Sequence, residues 1–453
     1  MADPSRCEPR ARAHPGPQLS VFDAVAVMVG LVVGIGIFRT PSIVADGVGS
    51  EAMFILVWLI GGVITLIGAL CYAELASAHP HAGGEYHFLS RAYGRPVALM
   101  FGWARCTVIQ TGSIALVAFL LGDYVSQVVP LGPHGPAIYA ALAVVVLTGV
   151  NVVGTAAGKN LQIVVTFIQI AAMLAIIGFG FFGPPAPVSV PAIPVPEEAA
   201  ALGVAMIFVL LTYGGWSDAA CLSGELRDAP RNIAKVLTLG TALLVALYVL
   251  ANMALLSILG LDGLRASDAV AADMMRVAAG PSGAMLVTLA VVVAAISTLN
   301  ATIFTGGRVF YAMGCDLSVM RWMGVWNRRG GTPANAQIVQ GAIALALIAM
   351  GSLTPDGFRA MVDYTAPVFW MFLLLVGGSL FVLRWRHPSR ALPFRVPLYP
   401  LTPMLFCLTS ACMLYASVMH TGAAALVGLG VLIAGAPILL FQSPQSEPTG
   451  DPP

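Results

Sequence analysis

The chain has 453 residues, of which 58% are apolar and only 9% are charged. Soluble proteins carry roughly 25% charged residues, so a water-soluble fold of this length could not cover so much apolar surface. The composition excludes a soluble enzyme and a disordered scaffold, and a formal charge of +1 provides no basic face for a nucleic acid. The sequence therefore predicts a protein that crosses a membrane several times.

The apolar residues form long unbroken runs, for example over residues 53–70 and 284–295. The strands of a membrane barrel would instead alternate apolar and polar residues over about ten positions. A spanning helix needs about 20 apolar residues, and it satisfies its backbone hydrogen bonds without water. We therefore predict an all-α membrane protein with about twelve spans, at residues 21–45, 53–77, 97–127, 137–154, 160–183, 200–223, 235–259, 283–312, 335–353, 359–384, 401–419 and 422–441.

Two proline-containing tails flank these spans. We predict that residues 1–18 and 443–453 are disordered and that residues 19–442 form one membrane domain. Positive charges indicate the orientation, because Lys and Arg collect in cytoplasmic loops. With the N-terminus inside, sixteen of the 22 Lys and Arg fall in inside loops, three in outside loops and three within spans. Both termini are therefore expected in the cytoplasm.

Glycines interrupt two of the predicted spans near their middles. The first span contains Gly34 and Gly36, and the sixth contains Gly214. Each glycine costs about 1 kcal/mol relative to alanine inside a helix, so these glycines indicate unwound backbone, with close helix packing as the alternative. The interruptions lie about 180 residues apart, at corresponding places in residues 21–183 and 200–384. Such a pair is typical of an inverted-repeat transporter, here followed by two further helices at about 401–441.

Unwound backbone inside a membrane presents N–H and C=O groups that need partners. The half-helix that begins near Gly36 offers N–H groups and a positive dipole end, which suit a carboxylate. The carbonyl groups near Ile35 and Leu211 suit an ammonium group. Because almost no charged side chain is predicted nearby, this backbone chemistry favours a zwitterionic amino acid as the ligand.

The seven cysteines and seven histidines indicate neither a metal site nor a disulfide. The cysteines lie mostly within spans, where Cys acts as a small apolar residue, and none has CxxC spacing. The histidines lie in the N-terminal tail, in loops or near span ends. We expect no cofactor, no metal and no disulfide-linked heavy-chain partner, and the oligomeric state is open.

Several segments resemble one superfamily of transporters. GIGIFRTP at 34–41, YGGW and GELRDAPRNI within 213–233, and TGGRVFYAMGCD at 305–316 are similar to the amino acid–polyamine–organocation (APC) superfamily. YGGW is most similar to its L-type amino acid transporter branch and the bacterial relatives of that branch. PHAGGEYHFLSRAYG at 80–94 and RWRHPSRALPFRVPLYP at 384–400 also resemble segments of this superfamily. The resemblance implies the leucine-transporter fold, with a five-plus-five inverted repeat, broken helices 1 and 6, and alternating access.

The resemblance also implies a substrate site made of backbone groups in spans 1 and 6 and one aromatic residue in span 10. Many L-type members have an aromatic residue three positions before the first glycine of YGGW, but this sequence has Leu211. A less bulky gate is therefore expected. The substrate-binding residues implied in this way are Gly34, Ile35, Gly36, Ile37, Leu211, Tyr213, Gly214 and Trp370.

Span 5 has Gln169 where many members of the superfamily have a lysine. A neutral amide cannot titrate, so proton coupling through such a lysine is not expected. Ser297 and Thr298 in span 8 are candidates to form a sodium-like site together with Gln169. Hydrogen bonds from these hydroxyl groups to their own helix are the alternative, and the favoured one.

Three arginines are predicted within spans, where a charge is costly, and Arg39 and Arg105 are the least expected of them. For Arg39, a pair with Asp46 or Asp218 and a role in gating are both open. Arg105 lies close enough to the inner end of span 3 to extend toward the cytoplasm. Three candidates for gating lie at or after the second interruption: Trp216, Glu225 and Arg231.

These features predict a secondary transporter of amino acids, of neutral or broad range, working by exchange or ion coupling in an inner membrane. The 20 Arg against 2 Lys indicate a bacterial source. Polyamine or organic-cation transport is the alternative within the superfamily, and only Asp218 and Asp363 are candidate carboxylates for it. A membrane receptor or an intramembrane enzyme is the alternative of another class, but no HExxH or GxSxG motif is present, and we predict no enzyme activity.

Overall fold

The structure is a computed structural model, and its fold is almost entirely helical. It describes residues 20–33, 35–81, 84–153, 158–183, 199–224, 226–316, 320–327, 332–388, 392–419 and 423–441. Both predicted tails lie outside these ranges, as do Gly34 and Glu225. Within these ranges the α-helices are α1 Val21–Val32, α2 Thr40–Asp46, α3 Glu51–Ala78, α4 Gly84–Tyr93, α5 Arg95–Ala104, α6 Thr111–Val128, α7 Gly135–Val153, α8 Gly158–Phe182, α9 Ala199–Thr212, α10 Ala229–Arg265, α11 Val270–Asp316, α12 Ala334–Gly351, α13 Gly357–Arg386, α14 Leu401–Met419 and α15 Ala423–Ala434.

Among the residues described, nine helical segments are long and apolar enough to cross a membrane. Three shorter apolar helices accompany them, at Val21–Gly30, Ile168–Phe182 and Ala424–Ala434. Many exposed side chains of the bundle are large and apolar, such as Leu142 and Leu286, as expected of a surface that faces lipid. The all-helical architecture is therefore confirmed, whereas the count of twelve spans and the inverted repeat stay predictions.

Polar residues fix where several helices begin. The Ser20 side chain accepts a hydrogen bond from the Asp23 N–H, and Asp23 accepts one from the Ser20 N–H, so a capping box precedes α1. The Asp356 side chain accepts a hydrogen bond from the Arg359 N–H and caps α13. These caps satisfy N–H groups that the first helical turn leaves without partners.

Glycines in α3 let two other helices approach it closely. A Cβ atom added to Gly61 would overlap Val209 of α9, and one added to Gly68 would lie 2.8 Å from Cη2 of Trp216. Small residues at helix contacts favour such close packing in membranes. Consequently α9 and the segment that follows it are held directly against α3.

Glycines also kink α10 and α11 on either side of the segment that joins these helices. Gly260 and Gly280 have φ values of 64° and 74°, a left-handed conformation that glycine adopts without strain. From this segment, Arg265 donates hydrogen bonds to the carbonyl oxygens of Ala45, at 3.0 Å, and Val48, at 2.7 Å. The segment is therefore attached to the end of α2, which carries the second half of the first broken span.

Candidate functional site

The first predicted span is interrupted where its glycines lie. The α-helix α1 ends at Val32, a 3-10 turn runs over Ile35–Phe38, and α2 begins at Thr40. A 3-10 turn does not use the N–H groups of its first residues, here Ile35 and Gly36. The interruption predicted from the sequence is thus present, and it presents backbone donors.

Two tyrosines hydrogen-bond carbonyl groups at this interruption. Tyr248 of α10 donates from its hydroxyl group to the Val32 carbonyl oxygen at 2.6 Å. Tyr124 of α6 donates to the Phe38 carbonyl oxygen at 2.9 Å. Both tyrosines are fully buried. Because a buried carbonyl without a partner costs free energy, these tyrosines stabilise the interrupted form of the span.

The sixth predicted span is interrupted in a similar way. The helix α9 ends at Thr212, a turn follows, and a 3-10 helix begins at Trp216. Gly215 has a φ of 98°, a conformation that favours glycine. The Leu211 carbonyl oxygen accepts a hydrogen bond from the Gly214 N–H at 2.9 Å, and its second lone pair can accept another donor.

The two interruptions meet. The hydroxyl group of Thr212 donates to the hydroxyl oxygen of Thr40 at 2.7 Å, and both residues are buried. A Cβ atom added to Gly36 would lie 3.3 Å from Cγ2 and Oγ1 of Thr212. The end of α9 therefore contacts the 3-10 turn and the start of α2 directly. The structure thus brings the backbone of Gly36 to Thr212, the residue that follows Leu211.

The aromatic residues predicted near the site take part in tertiary packing. Tyr213 is fully buried, its ring contacts those of Trp58 and Tyr248, and its hydroxyl group donates to the Trp58 carbonyl oxygen at 3.2 Å. Its backbone belongs to the interruption, but the side chain supports the bundle. The Trp216 ring lies 4.8 Å from that of Tyr72, centre to centre, and also contacts Phe406 of α14.

Trp370 of α13 is buried, and its ring makes an edge contact with Phe369. Its indole nitrogen has no hydrogen-bond partner in the part of the chain that is described. The contacts of Trp370 therefore neither place it at the two interruptions nor use its only polar group.

Arg39 is buried and pairs with three carboxylates, and the predicted pairs with Asp46 or Asp218 are wrong. Its guanidinium group donates to Asp268 at 3.0 Å and to Asp356 at 3.1 Å, and it lies 4.0 Å from Asp123. Asp123 lies on α6, Asp268 lies in the connection between α10 and α11, and Asp356 caps α13. We call these four residues the Arg39 cluster. Since Arg39 directly precedes α2, the cluster ties the second half of the first span to three other elements.

Arg105 is also paired, while its extension toward the cytoplasm stays a prediction. It donates to Glu85 of α4 at 3.1 Å and to Asp218 at 2.6 Å. We call these three residues the Arg105 cluster. Burial raises the pKa of Glu85, and the positive charge of Arg105 offsets only part of this rise. The cluster joins α4, the start of a π-helical segment at Arg105–Gln110 and the 3-10 helix after the second interruption.

The remaining candidates lie on α8, on α11 and at or near the start of α10. Gln169 of α8 is buried, and its amide oxygen has no hydrogen-bond partner among the described residues. Ser297 and Thr298 lie on α11, which packs against α8, and the Thr298 carbonyl accepts a hydrogen bond from Thr302. Arg231 lies on the surface, 3.8 Å from Asp228, while Glu225 lies outside the described residues.

The sequence did not reveal the tyrosine donors or the arginine partners. Tyr248 is 216 residues from the carbonyl that it contacts, and Asp356 is 317 residues from Arg39. No local spacing signals such pairs; only the presence of an arginine inside a predicted span indicated that carboxylates should be near. Across the described ranges, no group of three or more His, Cys, Asp or Glu side chains is arranged to hold a metal ion.

Replacing Tyr248 by Phe should lower the free energy of unfolding by about 1–3 kcal/mol, because the Val32 carbonyl oxygen would stay buried without its donor. Tyr139→Phe is the matched control: this hydroxyl group donates to the Val129 carbonyl oxygen in an exposed position. The control should cost no more than about 0.5 kcal/mol. Denaturation of both variants in detergent measures the difference, and equal stabilities would contradict the role given to Tyr248.

Comparisons with known proteins agree with this geometry. The family described as amino acid permease has a model that matches residues 19–439. The b(0,+)-type amino acid transporter 1 of Homo sapiens is 29% identical over 413 residues, 89% of this chain and 82% of the relative. The serine/threonine exchanger SteT of Bacillus subtilis (strain 168) is 27% identical over 433 residues, 93% of this chain and 95% of the relative. The large neutral amino acids transporter small subunit 2 of Homo sapiens is 25% identical over 435 residues, 93% and 79% of the two chains.

The family match covers nearly all of the described helices, including both interruptions. The relatives come from animals and from a bacterium, and each is named as a transporter or exchanger of amino acids. The resemblance inferred from the sequence motifs is therefore confirmed. The chain belongs to the amino acid permease family of the APC superfamily and is a multi-pass membrane protein of amino acid transport.

Proposed function

We propose that this protein is a secondary transporter that moves neutral amino acids, or a broad range of them, by alternating access. The contact between Gly36 and Thr212 supports this proposal most directly, because it joins two unwound backbone segments inside an apolar bundle. Backbone donors and acceptors then face one place without a charged side chain between them. A zwitterion suits such a place, since its two charges need partners of opposite polarity.

In this proposal the α-carboxylate accepts hydrogen bonds from the N–H groups of Ile35 and Gly36, with Gly34 and Ile37 beside them. The ammonium group donates to carbonyl oxygens at the end of α9, among which that of Leu211 keeps a free lone pair. The Leu211 side chain leaves more room than an aromatic residue would. Tyr213 and Gly214 contribute their backbone, and Trp370 stays a candidate for contact with the substrate side chain.

Alternating access requires two barriers that open in turn. We assign one barrier to the Arg39 cluster and the other to the Arg105 cluster. They attach to the second halves of the first and the sixth span, which the predicted topology places at opposite faces of the membrane. Arg39 directly precedes α2, and Asp218 follows the interruption after α9. The earlier candidates Trp216, Glu225 and Arg231 would then act beside the Arg105 cluster.

The proposal also covers how transport is driven and in which membrane the protein lies. The name serine/threonine exchanger of the Bacillus relative supports exchange and makes small neutral amino acids the first to test. Gln169, Ser297 and Thr298 are the candidates for an ion site. We further propose an inner membrane with both termini in the cytoplasm, a bacterial source, no disulfide-linked heavy chain and no enzyme activity.

Transport of polyamines or other organic cations is the second candidate. It requires carboxylates at the site, and Asp218 already pairs with Arg105. Asp363 of α13 favours this candidate, because one of its carboxylate oxygens is buried without a hydrogen bond in the described part of the chain. A single such carboxylate gives it less support than the paired interruptions give to a zwitterion.

Uptake into proteoliposomes tests the proposed function. Radiolabelled amino acids should enter vesicles that hold purified protein, and uptake should rise when unlabelled amino acid is preloaded if exchange is the mode. Parallel vesicles with and without a sodium gradient separate exchange from ion coupling. No uptake of any amino acid by folded protein would contradict the proposal, and uptake of a diamine alone would favour the second candidate.

A further inference from the structure

A cleft of about 630 Å³ lies at one end of the bundle, away from both interruptions. It is bounded by the ends of α3 and α13 and by the segment that leads into α14. The positive-inside count predicts that this end faces the cytoplasm. We call it the basic cleft, and its lining includes Glu74, His79, Trp385, His387, Arg395 and Tyr399.

One ion pair fixes the walls of the basic cleft. The Glu74 side chain is buried and accepts a hydrogen bond from Nε of Arg384 at 2.6 Å. The other Glu74 oxygen accepts one from the Val396 N–H at 2.6 Å. The Arg384 guanidinium carbon lies 3.8 Å from the centre of the Tyr399 ring. The carboxylate of Glu74 therefore links α3 to α13 and to the segment between α13 and α14.

The other charges that line the basic cleft are positive. Among the described residues of the lining, Glu74 is the only acidic one, and Arg384 already neutralises it. The guanidinium group of Arg395 is exposed and makes no ion pair or hydrogen bond with the described residues. His387 adds an exposed imidazole ring at the same place. The cleft thus has one unneutralised guanidinium group and suits an anion.

An exposed apolar surface begins beside the cleft. Along α14 the side chains of Leu401, Met404, Leu405 and Leu408 are all exposed, at the spacing of one helical face. Trp385 is 82% exposed at the edge of the cleft, and Trp is typical of the membrane interface. The neighbourhood therefore offers a cationic group, an interfacial aromatic ring and a path for a hydrocarbon chain, in that order.

We propose that the basic cleft binds the headgroup of an anionic phospholipid of the leaflet at this end of the bundle. Arg395 pairs with the phosphate group, Trp385 lies at the border between headgroup and acyl chains, and the chains follow the exposed face of α14. Inorganic phosphate shares the charged group but lacks the chains. The apolar face of α14 therefore favours a lipid over a free ion.

Thermal denaturation in detergent tests this proposal without any transport assay. Phosphatidylglycerol, phosphatidylcholine with the same chains, and inorganic phosphate are titrated separately into purified wild-type protein. Phosphatidylglycerol should raise the melting temperature saturably, and the other two should not. Arg395→Gln should raise the half-saturating concentration of phosphatidylglycerol about fivefold, because one cation near an anionic lipid is lost.

Arg321→Gln is the matched control, since Arg321 is exposed and does not line the basic cleft. It should leave the half-saturating concentration unchanged. Trp385→Ala provides a second variant if Arg395→Gln lowers the melting temperature without lipid. Equal effects of the two phospholipids, an equal effect of inorganic phosphate, or wild-type titrations of both cleft variants would each overturn the proposal.

Discussion

Gly36→Val should abolish amino acid binding while the protein stays folded. A Cβ atom at this position would lie 3.3 Å from Cγ2 and Oγ1 of Thr212, and the two methyl groups of valine need more room still. They would occupy the place proposed for the substrate carboxylate. Loss of two hydrogen bonds to a charged group, at about 1.5–3 kcal/mol each, predicts at least about a 100-fold loss of affinity.

Thermal-shift titration with the transported amino acid measures this effect. Gly149→Val is the matched control, because a Cβ atom added to Gly149 of α7 would meet no atom within 4 Å. The control should bind like the wild type, and Gly36→Ala should fall between it and Gly36→Val. Wild-type affinity in folded Gly36→Val protein would show that the carboxylate binds elsewhere.

Arg39→Gln should destabilise the protein by about 3 kcal/mol and loosen the second half of the first span. Removal of one partner from a buried ion pair costs about 3–5 kcal/mol, and the lower end applies because Asp268 is 76% exposed. The variant leaves Asp123, Asp268 and Asp356 without their shared cation. The start of α2 then loses its ion pairs to the α10–α11 connection and to the residue that caps α13, and the three carboxylates repel one another.

Two measurements distinguish a role of the Arg39 cluster as a transport barrier from a purely structural role. Denaturation gives the stability, with Arg276→Gln as the control, because Arg276 pairs with Asp273 three residues earlier and is half exposed. That surface pair should contribute no more than about 1 kcal/mol. A membrane-impermeant thiol reagent should label a Ser42→Cys substitution on α2 faster in Arg39→Gln protein than with Arg39 intact. Equal stability losses in the two arginine variants, or unchanged labelling, would contradict the role of the Arg39 cluster.

The sequence predicted the places of both interruptions because glycine acts locally. Gly36 and Gly214 lower the helix propensity of their own segments, and that effect needs no knowledge of the rest of the chain. The approximate ends of the other long helices could be predicted from the lengths of the apolar runs, because such a run is also a local property of the sequence. Gly260 and Gly280 kink α10 and α11 close to the predicted span ends at 259 and 283.

The partners of these segments could not be predicted, because they depend on how distant helices pack. Tyr248 and Tyr124 resemble any apolar aromatic residue of a span until the bundle brings their hydroxyl groups to a free carbonyl. The same holds for Arg39, whose carboxylate partners lie on three separate elements. Trp216 stands beside the second interruption in sequence, yet its ring packs against α3 and α14.

The low proportion of charged residues in the chain is consistent with this arrangement of the site. Arg39 and Arg105 are committed to their clusters, and residues 35–38 and 213–215 at the interruptions carry no charged side chain. Substrate charge would then be met by peptide dipoles, which need no counterion when the site is empty. Recognition should consequently require both charges of the substrate, whereas its side chain has only to fit the space near Leu211.

Competition by substrate derivatives tests this central claim most directly. In the proteoliposome assay, the transported amino acid is challenged with its methyl ester, which lacks the carboxylate, and with its N-acetyl derivative, which lacks the ammonium group. Both should compete at least about 100-fold more weakly than the unmodified amino acid, because each leaves one set of backbone groups without its charged partner. Competition by either derivative at the strength of the amino acid itself would contradict recognition by the two interruptions.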